Sequence, residues 1–182
     1  MTDPTLHELG WEAAPFELDG VDGRRYRLAD VQGPKGTVVM FICNHCPYVQ
    51  GTIDDVVRDC RALADEGVGA IAIMSNDTEA YPADSFENMV TFARQHQLPF
   101  PYVIDRTQET ARVYGAVCTP DFFGFDKDLT LRYRGRLYET VGTRPKPGAR
   151  RELLEAMREV ARTGAGPADQ TPSIGCGIKW RR

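Results

Sequence analysis

The sequence predicts an α/β fold, a central mixed sheet with helices on both faces, and three observations carry that prediction. Apolar runs recur along the chain as "TVVMFI", β-branched and aromatic with no charge, "GAIAIMS" and "FPYVID". Runs of this kind suit strands that are covered on both sides. Between them lie segments whose apolar residues repeat at helical spacing, so strands and helices interleave instead of segregating. The chain of 182 residues is long enough for one ordinary core, and at 42% hydrophobic and 26% charged it has the composition of a soluble globular protein.

"PFELDGVDGRRYRL" reads as two short strands around a turn, an N-terminal β-hairpin extension. "GPKG" then breaks the chain before "TVVMFI", the first buried strand. From Pro47 to about Glu66 the residues Val49, Ile53, Val56, Val57, Leu63 and Ala64 predict one helix, ended by Gly67. "GAIAIMS" is the second strand. After the loop "NDTEAYPAD", "SFENMVTFARQH" is an amphipathic helix with Phe86, Met89, Val90 and Ala93 on one face. "FPYVID" is the third strand, and "TQETARVYGA" a short helix stopped by Gly115. "FFGFD" and "LTLRYRG" form a hairpin turning at Lys127-Asp128. The last helix, in "GARRELLEAMREVART", points Leu153, Leu154, Met157 and Val160 inward. The domain is expected to span 1–163, with 164–182 as a C-terminal tail rich in Gly and Pro, either pinned or mobile.

Composition also excludes function classes. The formal net charge is -4, and "DGRRYRL", "RYRGR" and "KWRR" are scattered, so no basic stripe suited to nucleic acid forms. No apolar run approaches the length of about 20 residues that spans a bilayer. The acidic start "MTDPTLHELGWEAAP" carries no export signal. The expectations are a cytoplasmic location, no nucleic-acid or membrane partner, and no cofactor.

The chemistry gathers in Phe41 to Val49, "FICNHCPYV". In a reducing compartment a Cys-x-x-Cys pair points to redox or metal chemistry. Cys43 and Cys46 follow a buried strand and stand at or beside the start of a helix, and Pro47 fits the first helical position. A helix amino end favours a thiolate, lowering a cysteine pKa from about 8.5 into the range of about 3.5–7.5. His45, between the two, can add a charge or a hydrogen bond. The short spacer permits a disulfide, so the pair can cycle between dithiol and disulfide.

Several segments together resemble a known family. "APFEL", "TVVMFICNHCPYV" and "YVIDRTQETARVYGAVCTPDFFGFD" are similar to the opening strand, active-site segment and second half of thioredoxin-fold proteins of the peroxiredoxin-like branch. That branch is related to alkyl hydroperoxide reductase and thiol-specific antioxidant proteins (AhpC/TSA). "PSIGCGIKW" resembles the ending of a subgroup that carries "CNHCPYV". The resemblance implies a thioredoxin-like fold in which Pro120, often following a cis bond, faces the cysteine pair. It implies that Thr119 offers backbone hydrogen bonds to a thiol substrate and that Cys118 lies near the disulfide.

The departures from the family matter as much. Aligned on Cys46, the peroxiredoxin pattern of proline, then Thr or Ser, then cysteine finds Val39 and Cys43, and its arginine position falls near Pro120. The groups that activate peroxide are absent while the dithiol and its proline remain. The leading expectation is therefore a thiol–disulfide oxidoreductase exchanging with protein or low-molecular-weight thiols and disulfides. In its thioredoxin-like form Cys43 is the exposed nucleophile and Cys46 the buried resolving thiol. The alternative is a thiol peroxidase acting on peroxides through Cys46, with Cys43 or Cys176 resolving. A weaker alternative is a metal-binding or regulatory module built from Cys43, Cys46, Cys118, Cys176 and His45; no metal is expected in the leading reading. Cys60 is expected to be core and His96 a polar helix end. Phe122, Phe123 and Phe125 are expected in the core, and Asp121 and Asp126 at turns, with Asp121 able to border the site.

Overall fold

The computed structural model describes residues 7–182. In chain order its elements are β1 (Glu17–Gly20), β2 (Arg25–Arg27), α1 (Leu28–Val31), β3 (Gly36–Phe41), α2 (Pro47–Gln50), α3 (Ile53–Asp65) and β4 (Val68–Met74). A 3-10 turn (Pro82–Asp84), α4 (Phe86–Gln95), β5 (Tyr102–Ile104), α5 (Glu109–Tyr114), β6 (Cys118–Thr119), β7 (Asp121–Phe125) and β8 (Leu131–Gly135) follow. The chain ends with β9 (Thr140–Val141), β10 (Arg144–Pro145), α6 (Glu152–Thr163) and β11 (Cys176–Gly177). Seven strands make one sheet in the order β2-β1-β5-β4-β3-β7-β8. β3, β4 and β5 are parallel and the outer strands antiparallel, the mixed sheet that the sequence predicts.

β3 is the central strand, and the alternation of its side chains divides the core. Val38 and Met40 pack with Val56, Leu63, Met89, Leu153 and Met157, from α3, α4 and α6. Val39 and Phe41 face the other way, toward Phe16, Leu28 and Tyr114 of the N-terminal segment, α1 and α5. Each such side chain, fully buried, contributes about 1.5–3 kcal/mol. A charge anywhere in β3 would meet one core or the other, which is why the run carries none. Among the described residues no helix is long and apolar enough to cross a membrane.

The single helix expected from Pro47 to Glu66 is broken. α2 is one turn, and Thr52 leaves the helical region (φ -129°, ψ -7°) before α3 starts. Gly51, just before the break, keeps helical dihedrals (φ -74°, ψ -14°), and it is glycine because a Cβ there would overlap the carbonyl oxygen of Thr143, in the β9–β10 turn. The Thr52 hydroxyl closes the gap by donating to the Tyr48 carbonyl at 2.6 Å. α4 also differs slightly from expectation, burying Phe92 with Met89 while Val90 is only half-buried. The β7–β8 hairpin turns where expected. One Asp126 carboxylate oxygen accepts from the N–H groups of Asp128 (2.9 Å) and Thr130 (3.0 Å), an acceptor for a turn that has Leu129 at φ 61°. Phe122, Phe123 and Phe125 are core, as the sequence indicates.

The tail is pinned. Gln170 holds Arg134 N–H and the Arg132 carbonyl with its side-chain amide, and the Ser173 hydroxyl donates to the Gly135 carbonyl at 2.7 Å. Further on, the Lys179 N–H donates to the Asn76 side chain at 2.9 Å, and the Arg181 N–H to Gln108 at 2.9 Å. Ile178 is buried, and the Arg112 guanidinium lies 4.4 Å from the centre of the Trp180 ring. Between these anchors β11 pairs with β6, Cys176 opposite Thr119 and Gly177 opposite Cys118. Two-residue strands have no readable period, and the sequence shows neither partner.

Candidate active site

The cysteine pair lies where β3 runs out into α2, at the carboxyl edge of the parallel strands. Cys46 is the residue before the first helical turn and Pro47 begins it, as the sequence suggests. Both thiols are enclosed: Cys43 is 1% exposed and Cys46 0%. This corrects the expectation of an exposed Cys43. The tail passes beside the pair, with β11 along β6.

Thr119 is the hub of the site. Its hydroxyl is 3.5 Å from the Cys43 sulfur, its carbonyl is 3.3 Å from the Cys46 sulfur, and its backbone pairs with Cys176. The peptide bond from Thr119 to Pro120 is cis. The structure thus brings Cys43, Cys46, Cys118, Thr119, Pro120 and Cys176 into one neighbourhood.

The electrostatics divide the pair. The Cys43 thiol donates to Cys46, which holds Cys46 down at about 4 against the opposing effect of burial. The Cys176 thiol, the Thr119 hydroxyl and the Cys176 N–H also support the anion. Cys43 is pushed up, first by that shared proton, then by burial and the nearby Asp84 carboxylate. Of the two sulfurs, Cys46 is the one whose thiolate is favoured. Several donors face it against one acceptor, the Thr119 carbonyl. The helix dipole invoked from sequence adds little here, because α2 is a single turn; donors from β6 and the tail replace it. The expected result is a thiolate absorbance that persists as pH falls to about 4. Cys43→Ala removes the principal donor, so the ultraviolet titration midpoint should move upward; an unmoved midpoint would refute the shared proton.

Cys118 is held protonated, its thiol pushed up to about 12 by burial and then by the Asp121 charge, and it donates weakly to the Pro120 carbonyl at 3.7 Å. Cys60 is buried and pushed up to about 12, as befits a core thiol. Asp121 is buried rather than a surface turn residue. Burial pushes its carboxyl up, and Arg134, 3.1 Å away, opposes that shift. Arg134 is also bonded to the Gly115 carbonyl and lies 4.4 Å from the centre of the Phe123 ring. These commitments tie the guanidinium to structure.

Sequence reasoning missed Asp84. It is fully buried in the 3-10 turn. It accepts from the Asn44 N–H at 2.8 Å and the Asn76 side chain at 2.9 Å, and lies 2.6 Å from His45 Nδ1. That last distance is short enough for a hydrogen bond, but the His45 Nδ1 direction is not that of one, so the contact is electrostatic when the ring is charged. Asn44 is fixed in turn by the Tyr102 hydroxyl at 2.8 Å. Nothing in "NDTEAYPAD" marks Asp84 as buried; the only hint is a carboxylate just before a helix start. Cys43, His45 and Asp84 place ligand-type atoms within 4.8 Å of one another, while Cys118 and Cys176 lie outside that group. The five-residue metal set raised from the sequence therefore does not assemble.

A mixed sheet with a Cys-x-x-Cys at its carboxyl edge, facing a cis-proline, defines the thioredoxin-like class. Residues 9–134 match the profile of the AhpC/TSA family, and the chain belongs to that family. It is 27% identical over 121 residues to the thiol-disulfide oxidoreductase ResA of Bacillus thuringiensis subsp. konkukian, a match covering 66% of this chain and 65% of that relative. This chain thus spans somewhat less than two thirds of that curated relative's length. The crystal structure of an uncharacterized conserved protein from Geobacillus kaustophilus is 45% identical, with a TM-score of 0.90 over 96% of this chain and 93% of that one. The thioredoxin domain of a thiol-disulfide oxidoreductase from Bacteroides vulgatus is 16% identical at a TM-score of 0.59, covering 70% and 88%, and shares the fold.

Proposed function

We propose that the chain is a thiol–disulfide oxidoreductase whose Cys43–Cys46 pair cycles between dithiol and disulfide. The observation that carries this reading is the placement of the two buried sulfurs of the Cys-x-x-Cys pair against Thr119 and its cis bond to Pro120. The Cys46 thiolate attacks one sulfur of a substrate disulfide, forming a mixed disulfide and releasing the other sulfur as a thiolate, which takes up a proton. Cys43 then attacks the Cys46 sulfur. Its proton leaves with the second substrate thiol, and the protein holds a disulfide where the substrate did. His45 and Asp84 border Cys43 and are suited to holding that proton in transit. The name of the ResA relative supports the same chemistry.

The substrates we propose are protein or small-molecule disulfides. Peroxidase chemistry is the lesser reading, because Arg134 is tied to Asp121 and the Gly115 carbonyl, and among the described residues no arginine hydrogen-bonds the Cys43 or Cys46 sulfur. The test is catalysed reduction of insulin disulfides with a dithiol as electron source, run beside stopped-flow thiol loss with hydrogen peroxide. Insulin reduction with peroxide consumption no faster than that of an ordinary thiolate is the expected result. Rapid sulfenic acid formation at Cys46 without insulin reduction would overturn it.

A further inference from the structure

We propose that Cys176 is an internal exchange partner of the cysteine pair, a third thiol that carries oxidising equivalents between the buried sulfurs and solvent. This rests on the exchange reading above. Three observations lead to it. Cys43 and Cys46 have no exposed surface to speak of, whereas Cys176 is half-buried, at the boundary between the sulfurs and solvent. β11 pairs antiparallel with β6 at Thr119, just before the cis-proline. β11 thus lies along the Thr119 edge as any added extended segment would, with a cysteine opposite Thr119. The fit is also close: a Cβ on Gly175 would overlap the Thr119 carbonyl oxygen, so glycine is required for the tail to seat.

β11 sets Cys176 opposite Thr119, whose carbonyl is 3.3 Å from the Cys46 sulfur, and the Cys176 thiol and N–H favour the anion on Cys46. In the reduced protein Cys176 is a donor, its own thiol pushed up to about 11 by burial and then by Cys46. Once Cys43 and Cys46 are joined, the charge on Cys46 is gone and so is that part of the restraint, while Lys179 still favours the anion. The Cys176 thiolate then attacks the Cys46 sulfur. A Cys46–Cys176 bond forms, the Cys43–Cys46 bond breaks, and Cys43 leaves as a thiolate that takes up the proton Cys176 lost. One disulfide and one thiol stand on each side of this step, so it requires no further oxidant. An external thiol meets the exchanged disulfide at the Cys176 sulfur.

The test uses the full chain. Wild type and Cys43→Ala are oxidised with diamide, alkylated, and mapped by mass spectrometry. Wild type should yield a Cys43–Cys46 link, and Cys43→Ala an intramolecular Cys46–Cys176 link with loss of two hydrogens. A Cys46–Cys118 link or free Cys176 in that variant would overturn the proposal. Cys176→Ser supplies a second readout that needs no trapped species. Wild-type-like formation of the Cys43–Cys46 link with insulin reduction slowed by roughly tenfold or more is expected. An unchanged or faster rate would mean the tail is only a cover. Failure of wild type to form the Cys43–Cys46 link would instead sink the exchange reading itself, so the two failures are separable.

Discussion

Cys46→Ser should reduce insulin disulfide reduction to the background of the dithiol reductant, a loss of roughly a thousandfold or more. The variant loses the anion that Cys43, Thr119 and Cys176 converge on, and the remaining thiol at Cys43 is held protonated by burial and Asp84. Cys43→Ser should also lose turnover, but to a smaller extent and for a different reason, with Cys176 left as the thiol that can resolve the mixed disulfide. It keeps the Cys46 thiolate, visible in the ultraviolet, but has no partner thiol in the pair to complete the cycle. The double variant should be no worse than Cys46→Ser alone, because sulfurs acting as a unit do not contribute additively. Near-wild-type turnover in Cys46→Ser would remove the pair from the chemistry.

Asp121→Ala should destabilise the fold by about 3–5 kcal/mol, which at this chain length is a fall of about 6–20 °C in Tm. Asp121 is buried, and its carboxylate neutralises Arg134 and accepts from the Val117 N–H at 3.2 Å. Removing it leaves a largely enclosed guanidinium without its counter-charge, with one nitrogen, Nη1, already lacking a partner. Asp121→Asn keeps the Val117 bond and should fall between alanine and wild type. Thermal unfolding of the reduced proteins decides it, and an alanine variant within about 1 kcal/mol of wild type would show that the pair contributes no net stability.

How much of this was legible in the sequence depends on how the information is carried. β3, α3 and α6 were readable because burial imposes a period: no charge in "TVVMFI", and Leu153, Leu154, Met157 and Val160 along one face. The cysteine pair and the turn before Pro120 were readable because particular residues mark them. The break at Thr52 was not, because the Gly51 beside it packs against Thr143, more than ninety positions away and invisible to a local pattern. Asp84 was hidden in a polar loop where an acidic residue is ordinary, and only the tertiary fold closes Asn44, His45 and Asn76 around it. The tail read as irregular because it is. Its order comes from single bonds to Asn76, Gln108 and the β6 backbone rather than from any repeating face.

The pairing of β11 with β6 has a consequence for how the protein is made. Cys46 leaves the ribosome roughly 130 positions before Cys176, and at about 5–20 residues per second that interval is on the order of ten seconds. Thr119 follows in the second half of that interval, and from then until β11 is made its edge is unpaired and open to any extended segment nearby. β11, made after every strand of the main sheet, is the segment that closes that edge.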